Sequence, residues 1–257
     1  MTPLPTGRRG RSRRQTGLDD RAVATTWQVA SLLLDYPDEG QPLDVLDAAV
    51  AGLPPVVAEP LSRFLAHRRG TPLQQLQEDY VETFDTRRRC TLFLTYFLHG
   101  DTRKRGMALL RFKHAFMAAG LEIDDRELPD HLAVVLEFAA TADLESGRRL
   151  LLDHRAGLEL LRLSLTDLGS PYADVVTAVC AGLPPLAGDD LEMVRRLAAE
   201  GPPDEEVGLT PYGTPGFDAA MTDPGYRQPA PVATGPVDLG LPGMRPLTPA
   251  SPSGRGV

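Results

Sequence analysis

Cysteine is scarce. The 257-residue chain holds only Cys90 and Cys180, too few for a disulfide scaffold or a cysteine-rich zinc site. No uninterrupted apolar run approaches the ~18 residues that a bilayer-spanning helix requires. Lysine is nearly absent, with 2 residues against 25 arginines. The glycine-rich phosphate loop, the Gly-x-Ser-x-Gly elbow and His-Glu-x-x-His are all missing, so the sequence offers no ready nucleotide, acyl-transfer or zinc-hydrolase chemistry. Carboxylates are plentiful, but no pair sits in an apolar setting that would drive two pKa values apart. What is present is ordinary for a soluble protein: 42% hydrophobic and 24% charged residues, with a net charge of −8. That balance excludes a wholly basic surface for wrapping nucleic acid and predicts a soluble, cytosolic, acidic protein.

The charge is unevenly distributed. Residues 1–17 carry five arginines and no acid, residues 18–200 have a net charge of −10, and residues 201–257 a net charge of −3. Residues 1–17 read as a disordered basic arm: no apolar segment follows the arginines, as an export signal would need. Residues 201–257 hold 12 of the 24 prolines and 10 of the 24 glycines. Proline lacks an amide donor and glycine raises the entropic cost of order, so this stretch reads as a disordered Pro/Gly-rich tail.

Between them, residues 18–200 are helical by period. Val23, Trp27, Ala30 and Leu34 share one face behind a cap at Asp19 or Asp20. Leu73, Leu76, Tyr80 and Phe84 repeat the pattern behind Thr71-Pro72, which reads as a cap followed by a first-turn proline. Met107, Leu110, His114 and Met117 form a third face, ended by Gly120, and Leu132, Val135, Leu136 and Ala139 a fourth. Leu151, His154, Leu158, Leu161, Leu165 and Leu168 mark the longest helix, followed by shorter ones at 175–179 and 191–197. Leu92–Leu98 is continuously apolar and β-favouring, but a single strand has no partner, so it reads as a buried helix. Pro54-Pro55 and Pro184-Pro185 read as breaks between helices. The fold class is therefore all-α: one helical-bundle-like domain of seven to nine helices over 18–200, flanked by the arm and the tail.

The densest chemistry lies in 80–138. Gly100 permits a turn other residues resist, Asp101 or Thr102 can cap the following helix, and Gly106 can admit a neighbouring helix closely. Arg103 and Arg105 can hold carboxylates in a fork geometry. Cys90 beside Arg87, Arg88 and Arg89 has the surroundings of a reactive thiol, although a small residue at a helix start explains it more simply. Cys90, His99, His114 and His131 match no common metal-ligand spacing.

Several stretches in order carry a resemblance. They are Tyr80-Val81-Glu82-Thr83-Phe84-Asp85, then His-Gly-Asp-Thr-Arg-Lys-Arg-Gly-Met at 99–107, then Glu127-Leu128-Pro129-Asp130 and Leu136-Glu137-Phe138. With the opening Trp27 to Pro37, they make residues 20–200 resemble the NarJ family of nitrate reductase assembly chaperones, within the wider group of redox-enzyme maturation chaperones. The resemblance implies an all-helical cytoplasmic protein with no catalytic centre, no permanently bound cofactor and no membrane insertion. Its implied partner is the apo catalytic (alpha) subunit of a respiratory nitrate reductase, through its N-terminal segment, held until the molybdenum cofactor is inserted. The Pro-Asp-His stretch lies near the peptide groove of the wider group, which points to Asp130 and His131 here.

The physical reading accommodates that role. A peptide groove needs an apolar floor and a charged rim. Tyr80, Phe84 and Tyr96 are expected on or near it with His99, Asp130 and His131, and Arg103 and Arg105 brace the helix junction or hold client carboxylates. The acidic body would draw in a basic client segment. Two departures from the nitrate branch, Thr95-Tyr96-Phe97 before His99-Gly100 and Ala133 after the Pro-Asp-x-Leu stretch, keep open a maturation chaperone for another molybdoenzyme. Two functions of a different kind also compete: a small all-α enzyme using Glu127 or Asp130 with His131, and a nucleic-acid regulator using the Arg8–Arg14 arm.

Overall fold

In the computed structural model, which describes residues 17–100, 102–122, 128–186 and 188–201, Asp19 opens the first helix. Its side chain accepts from the Ala22 amide at 2.8 Å, supplying one of the partners that a helix start lacks. The helix that follows, α1 (Asp20–Leu33), buries Val23, Trp27, Ala30 and Leu33, the face its period predicts. At ~1.5–3 kcal/mol for each large apolar side chain, that face is held by burial far more than by helix propensity. Trp27 is fully buried and its indole N–H donates to the Val179 carbonyl at 3.2 Å.

Prolines set the next three starts. Pro42, Pro54 and Pro72 stand immediately before α2 (Leu43–Ala51), α3 (Pro55–Gly70) and α4 (Leu73–Phe84), where a missing amide hydrogen costs nothing. Thr71 does not cap α4: Pro72 is the capping residue, without a side-chain bond, and the Thr71 hydroxyl lies 3.3 Å from His67 Nδ1. A 3-10 turn (Arg88–Cys90) leads to α5 (Tyr96–His99) and α6 (Arg103–Ala118). Then come α7 (Leu132–Thr141), α8 (Leu144–Asp153), α9 (Arg155–Asp167), α10 (Tyr172–Ala181) and α11 (Asp189–Glu200).

The described residues thus hold eleven α-helices and no named strand, an all-α fold with more helices than the seven to nine expected. The excess has identifiable sources. The helices α2 and α3 lie between the periodic stretches named above, with Leu46 and Val50 buried on one and Val57, Leu61, Phe64 and Leu65 on the other. The long helix expected from Leu151 to Leu168 is cut at His154, which ends α8 and precedes α9. Both halves are anchored by glycines at close contacts: a Cβ at Gly147 would stand 2.3 Å from that of Ala139, and one at Gly157 2.7 Å from that of Phe97. One straight rod cannot meet both requirements while α9 packs on α10 and α11.

Residues 92–98 also depart from expectation. Only Tyr96–His99 is helical; Phe93 pairs in an antiparallel bridge with His131. The Leu94 amide donates to the Asp130 carbonyl at 3.1 Å, and the Leu132 amide to the Leu92 carbonyl at 2.8 Å. The partner that one strand needs is therefore a three-residue segment just before α7, too short to be seen by period.

Helix α1 packs against α7 and α10, α10 against α3, and α7 against α8. An Arg63–Asp174 pair, with Nε donating at 3.1 Å and Nη2 at 2.5 Å, ties α3 to α10. All described residues belong to one compact unit. The expected arm 1–17 and tail 201–257 lie outside the described residues apart from Gly17 and Gly201. No helix among the described residues is long and apolar enough to cross a membrane.

Candidate functional site

The junction of α5, α6 and α7 gathers most of the residues the sequence singles out. Gly100 makes it possible: with φ 55° and ψ −151° it adopts a backbone conformation open only to glycine, and its amide closes α5 on the Tyr96 carbonyl at 2.7 Å. The chain reverses there and delivers Arg105 back onto the segment before α5. Arg105 Nε donates to the Thr95 hydroxyl at 3.2 Å, and Nη2 lies 3.8 Å from Asp130 Oδ2. Its guanidinium carbon sits 5.3 Å from the Phe93 ring centre and 5.9 Å from that of Tyr96, within cation–π range of both.

Asp130 is 0% exposed. Its Oδ2 accepts from both the amide and the hydroxyl of Thr95, at 3.1 Å and 2.5 Å; Oδ1 is buried with no hydrogen-bond partner among the described residues. The carboxylate is therefore a structural anchor facing inward, not a group on the rim. His131, half-buried, places its ring edge-on to Phe93 with centres 5.3 Å apart. His99, half-buried at the end of α5, has its pKa lowered by burial and, secondarily, by the Lys104 charge. Arg103 is exposed at the first position of α6.

Tyr80 and Phe84 belong to a different place. Both are buried, in an aromatic cluster where Tyr80–Phe84 and Phe84–Tyr172 centres lie 4.8 Å apart and Phe64–Tyr172 centres 4.9 Å. The Tyr80 hydroxyl donates to the Leu34 carbonyl at 3.0 Å, and burial drives its pKa well upward. These rings fill the space between α1, α3, α4 and α10, because α4 is amphipathic and its one apolar stripe is needed there. Of the eight expected groove residues, then, Tyr96, His99, Arg103, Arg105 and His131 meet at the junction surface or its rim, Asp130 underlies them, and Tyr80 and Phe84 are core.

The period of α6 has the expected phase but the opposite orientation. Ala108, Phe112 and Phe116 are its buried face. Met107, Leu110 and Met117 are 69%, 42% and 57% exposed, and His114 is exposed between them. Gly106 admits no neighbour, since a Cβ there would meet nothing within 4 Å. The same helix carries Arg103, Lys104, Arg105, Arg111 and Lys113 and no carboxylate. Three of these cations lie in the first turn, where the helix dipole opposes them by ~0.3–1 kcal/mol each at an exposed position; Asp130 offsets only Arg105.

Cys90 and Asp130 are poorly placed for the reactive-thiol and acid–base readings. Cys90 is buried, and its pKa is raised because burial outweighs the nearby Arg87 charge, the reverse of an activated thiol. No group of three or more His, Cys, Asp or Glu among the described residues is placed to hold a metal. For acid–base catalysis, the Asp130 carboxylate is turned to Thr95, and Glu127 lies outside the described residues. A cleft of about 750 Å³ lies elsewhere, between Leu18, Arg21 and Thr25 of the α1 region and Ala48, Gly52 and Pro54.

Comparison with known proteins places this fold. A family model described as nitrate reductase delta subunit matches residues 51–178. The chain is 32% identical over 167 residues to a Bacillus subtilis (strain 168) protein named "Probable nitrate reductase molybdenum cofactor assembly chaperone NarJ", a match that covers 90% of that protein and 64% of this one. It is 33% identical over 150 residues to the nitrate reductase molybdenum cofactor assembly chaperone NarJ of Escherichia coli (strain K12), covering 56% of this chain and 64% of that one. It is 44% identical over 155 residues to the nitrate reductase-like protein NarX of Mycobacterium tuberculosis (strain ATCC 25618 / H37Rv), covering 60% of this chain but spanning only 24% of that relative's length. The chain belongs to the NarJ family of nitrate reductase assembly chaperones.

Proposed function

We propose that this protein is an assembly chaperone that binds the apo catalytic (alpha) subunit of a nitrate reductase in the cytoplasm. It holds that subunit through its N-terminal segment while the molybdenum cofactor is inserted, and retains no cofactor itself. Family membership supports the client class, since the NarJ relatives are named for molybdenum cofactor assembly in nitrate reductase. The observation that carries the reading is the surface at the α5–α6–α7 junction. There Phe93, Tyr96, His99, Arg105 and His131 form a half-buried patch of rings and cations over the buried Asp130. Such a patch can grip an unfolded or amphipathic segment without reacting with it: the rings give apolar area and the arginine gives a directed donor. Arg103 stands at the rim. Asp130, Tyr80 and Phe84 serve by keeping the junction and the α4 core rigid, so that little ordering is needed on binding.

The decisive experiment is co-expression of the full chain with a nitrate reductase catalytic subunit, with and without molybdenum cofactor synthesis. The chaperone should be recovered with the apo subunit and released from the cofactor-loaded one. Tyr96→Ala with His131→Ala should reduce recovery while leaving the far-ultraviolet spectrum unchanged. Failure to recover the apo subunit, or equal recovery of both forms, would overturn the reading.

A further inference from the structure

The break at His154, between α8 and α9, lies beneath the two helices that carry the junction surface. The His154 carbonyl closes the first turn of α9 by accepting from the Leu158 amide at 3.1 Å. Two rings come to rest on that turn. Phe112 of α6 meets the His154 ring with centres 5.1 Å apart. Phe97 of α5 seats on Gly157, where a Cβ would stand 2.7 Å from Phe97 Cβ and 2.8 and 2.9 Å from its ring carbons Cδ2 and Cγ. Both rings are 0% exposed. The two seats are three residues apart, about one helical turn.

The client surface is built on the same two helices. Tyr96 and His99 flank Phe97 on α5, and Arg105 of α6 holds its guanidinium carbon 5.9 Å from the Tyr96 ring centre. That spacing is a relation between α5 and α6. With four residues, α5 is about one turn long, too short to hold its own place, so its buried side chains locate it. Thr95 is tied to Asp130, and Phe97 is located by the notch that the missing side chain of Gly157 leaves. The contact is at the root of the Phe97 side chain, so a methyl group at residue 157 cannot be accommodated by turning the ring, and backbone must move. Helix α9 is 13 residues long and packs on α10, α11 and the 3-10 turn. The displacement therefore falls on α5.

We propose that Gly157 is a positioning residue of the client surface: its notch holds α5 in register with α6, seated one turn earlier on the same helix, and so fixes where Tyr96 and His99 stand relative to Arg105. The proposal rests on the chaperone reading above and adds to it a buried residue that sets client affinity without touching the client. Its effect passes through Phe97 to the groups on either side of that ring.

The test uses the full-length chain and a nitrate reductase catalytic subunit purified from cells unable to make the molybdenum cofactor. Affinity is measured by biolayer interferometry at a temperature where circular dichroism shows every variant folded. Gly157→Ala should weaken binding by about tenfold or more, and Phe97→Leu, which fills the notch differently, should do the same. Gly182→Ala is the control for overpacking as such. Its Cβ would be as tight, 2.8 Å from Trp27 Nε1, but its nearest neighbours all belong to Trp27 of α1, and affinity should stay within about twofold of wild type. In a chain that already carries Tyr96→Ala and His99→Ala, Gly157→Ala should cost less than about twofold more, because the groups it positions are gone. Wild-type affinity in both Gly157→Ala and Phe97→Leu, an equal loss in Gly182→Ala, or a tenfold effect that persists in the double-alanine chain overturns the proposal.

Side-chain resonances of the free protein separate this proposal from the chaperone reading. Those of His99 and Tyr96 should move in Gly157→Ala and stay in place in Gly182→Ala. If they do not move while the wild-type chain binds the apo subunit, the positioning role is refuted and the chaperone reading stands. If they move while the wild-type chain binds no apo subunit, the chaperone reading fails and Gly157 stands as the support of a surface for another ligand.

Discussion

Thr95 binds Asp130 twice, through its amide at 3.1 Å and its hydroxyl at 2.5 Å, both to Oδ2. Since Arg105 Nε donates to the same hydroxyl, the three residues form a relay from the surface cation to the buried carboxylate. This relay joins the segment before α5, the first turn of α6 and the start of α7, and so sets the shape of the proposed binding surface from beneath.

Removing the carboxylate should therefore loosen the junction. Asp130→Ala leaves the Thr95 amide and hydroxyl without their acceptor and removes the carboxylate that stands 3.8 Å from Arg105 Nη2. The expected cost is ~2–3 kcal/mol, that of stranding buried donors near a charged group. It should appear in urea as a lower midpoint at unchanged slope. A change of less than ~0.5 kcal/mol, the level of an ordinary surface substitution, would mean the relay does not hold the junction.

Two glycine substitutions should have opposite signs. Gly157→Ala places a methyl carbon 2.7 Å from Phe97 Cβ and 2.9 Å from its ring carbon Cγ, and overpacking of this kind costs ~1–3 kcal/mol. Gly106→Ala meets nothing within 4 Å, lies within the helix α6, and should stabilise by ~0.5–1 kcal/mol through the lower entropy of the unfolded chain. Thermal midpoints of the two variants beside the wild type are sufficient; a destabilised Gly106→Ala would contradict the open surface described for that face.

His154 should make the fold acid-sensitive. The ring is buried, its Nδ1 lies 2.9 Å from the Leu150 carbonyl, to which it donates, and its centre is 5.1 Å from that of Phe112. Burial lowers its pKa from the ordinary 6.5, although the carbonyl, Asp153 and Asp130 act the other way. Between the two pKa values the unfolded chain binds more protons than the folded one. The stabilisation is thus fully present above pH 6.5 and is lost as pH falls through the lower folded value. Denaturant midpoints measured from about pH 7.5 down to about pH 5 should decline across the histidine range. His154→Gln should flatten that decline, and an equally steep one in the variant would place the effect on another group.

Both thiols should be slow to react until the chain unfolds. Cys180 is pushed up to about 11, mainly by burial, against the lowering effect of Arg155, whose Nη1 lies 3.3 Å from the sulfur. Cys90 is shifted in the same direction for the same reason. Alkylation at neutral pH should accordingly track global unfolding, with no fast phase in the native protein. A rapid single-thiol phase that Cys90→Ser removes would restore the arginine triplet as an activating environment.

Much of this molecule is legible before any coordinates. Periods of three and four residues place α1, α4, α6, α7 and α11, and Asp19 and the prolines mark where helices can begin, because caps and missing amides act locally. The ordered motifs from Tyr80 to Phe138 carry the family resemblance. The helices α2 and α3 are as regular as the others, and Val57, Leu61, Phe64 and Leu65 carry the same helical spacing. The Phe93–His131 bridge is different in kind, because so short a pairing leaves no periodic trace.

Sequence alone thus determined the helical class, the turn at Gly100 and the family, since each depends on local backbone preference or on residues read in order. Tertiary packing alone decided that Asp130 faces Thr95, that Tyr80 and Phe84 sit beside Tyr172, and that Met107, Leu110 and Met117 look outward. A helix with apolar residues on two sides states its period but not which side is buried. That choice falls to the pair of surfaces that fit, and on α6 the rings of Phe112 and Phe116 fill the interior while Arg105 must reach Asp130.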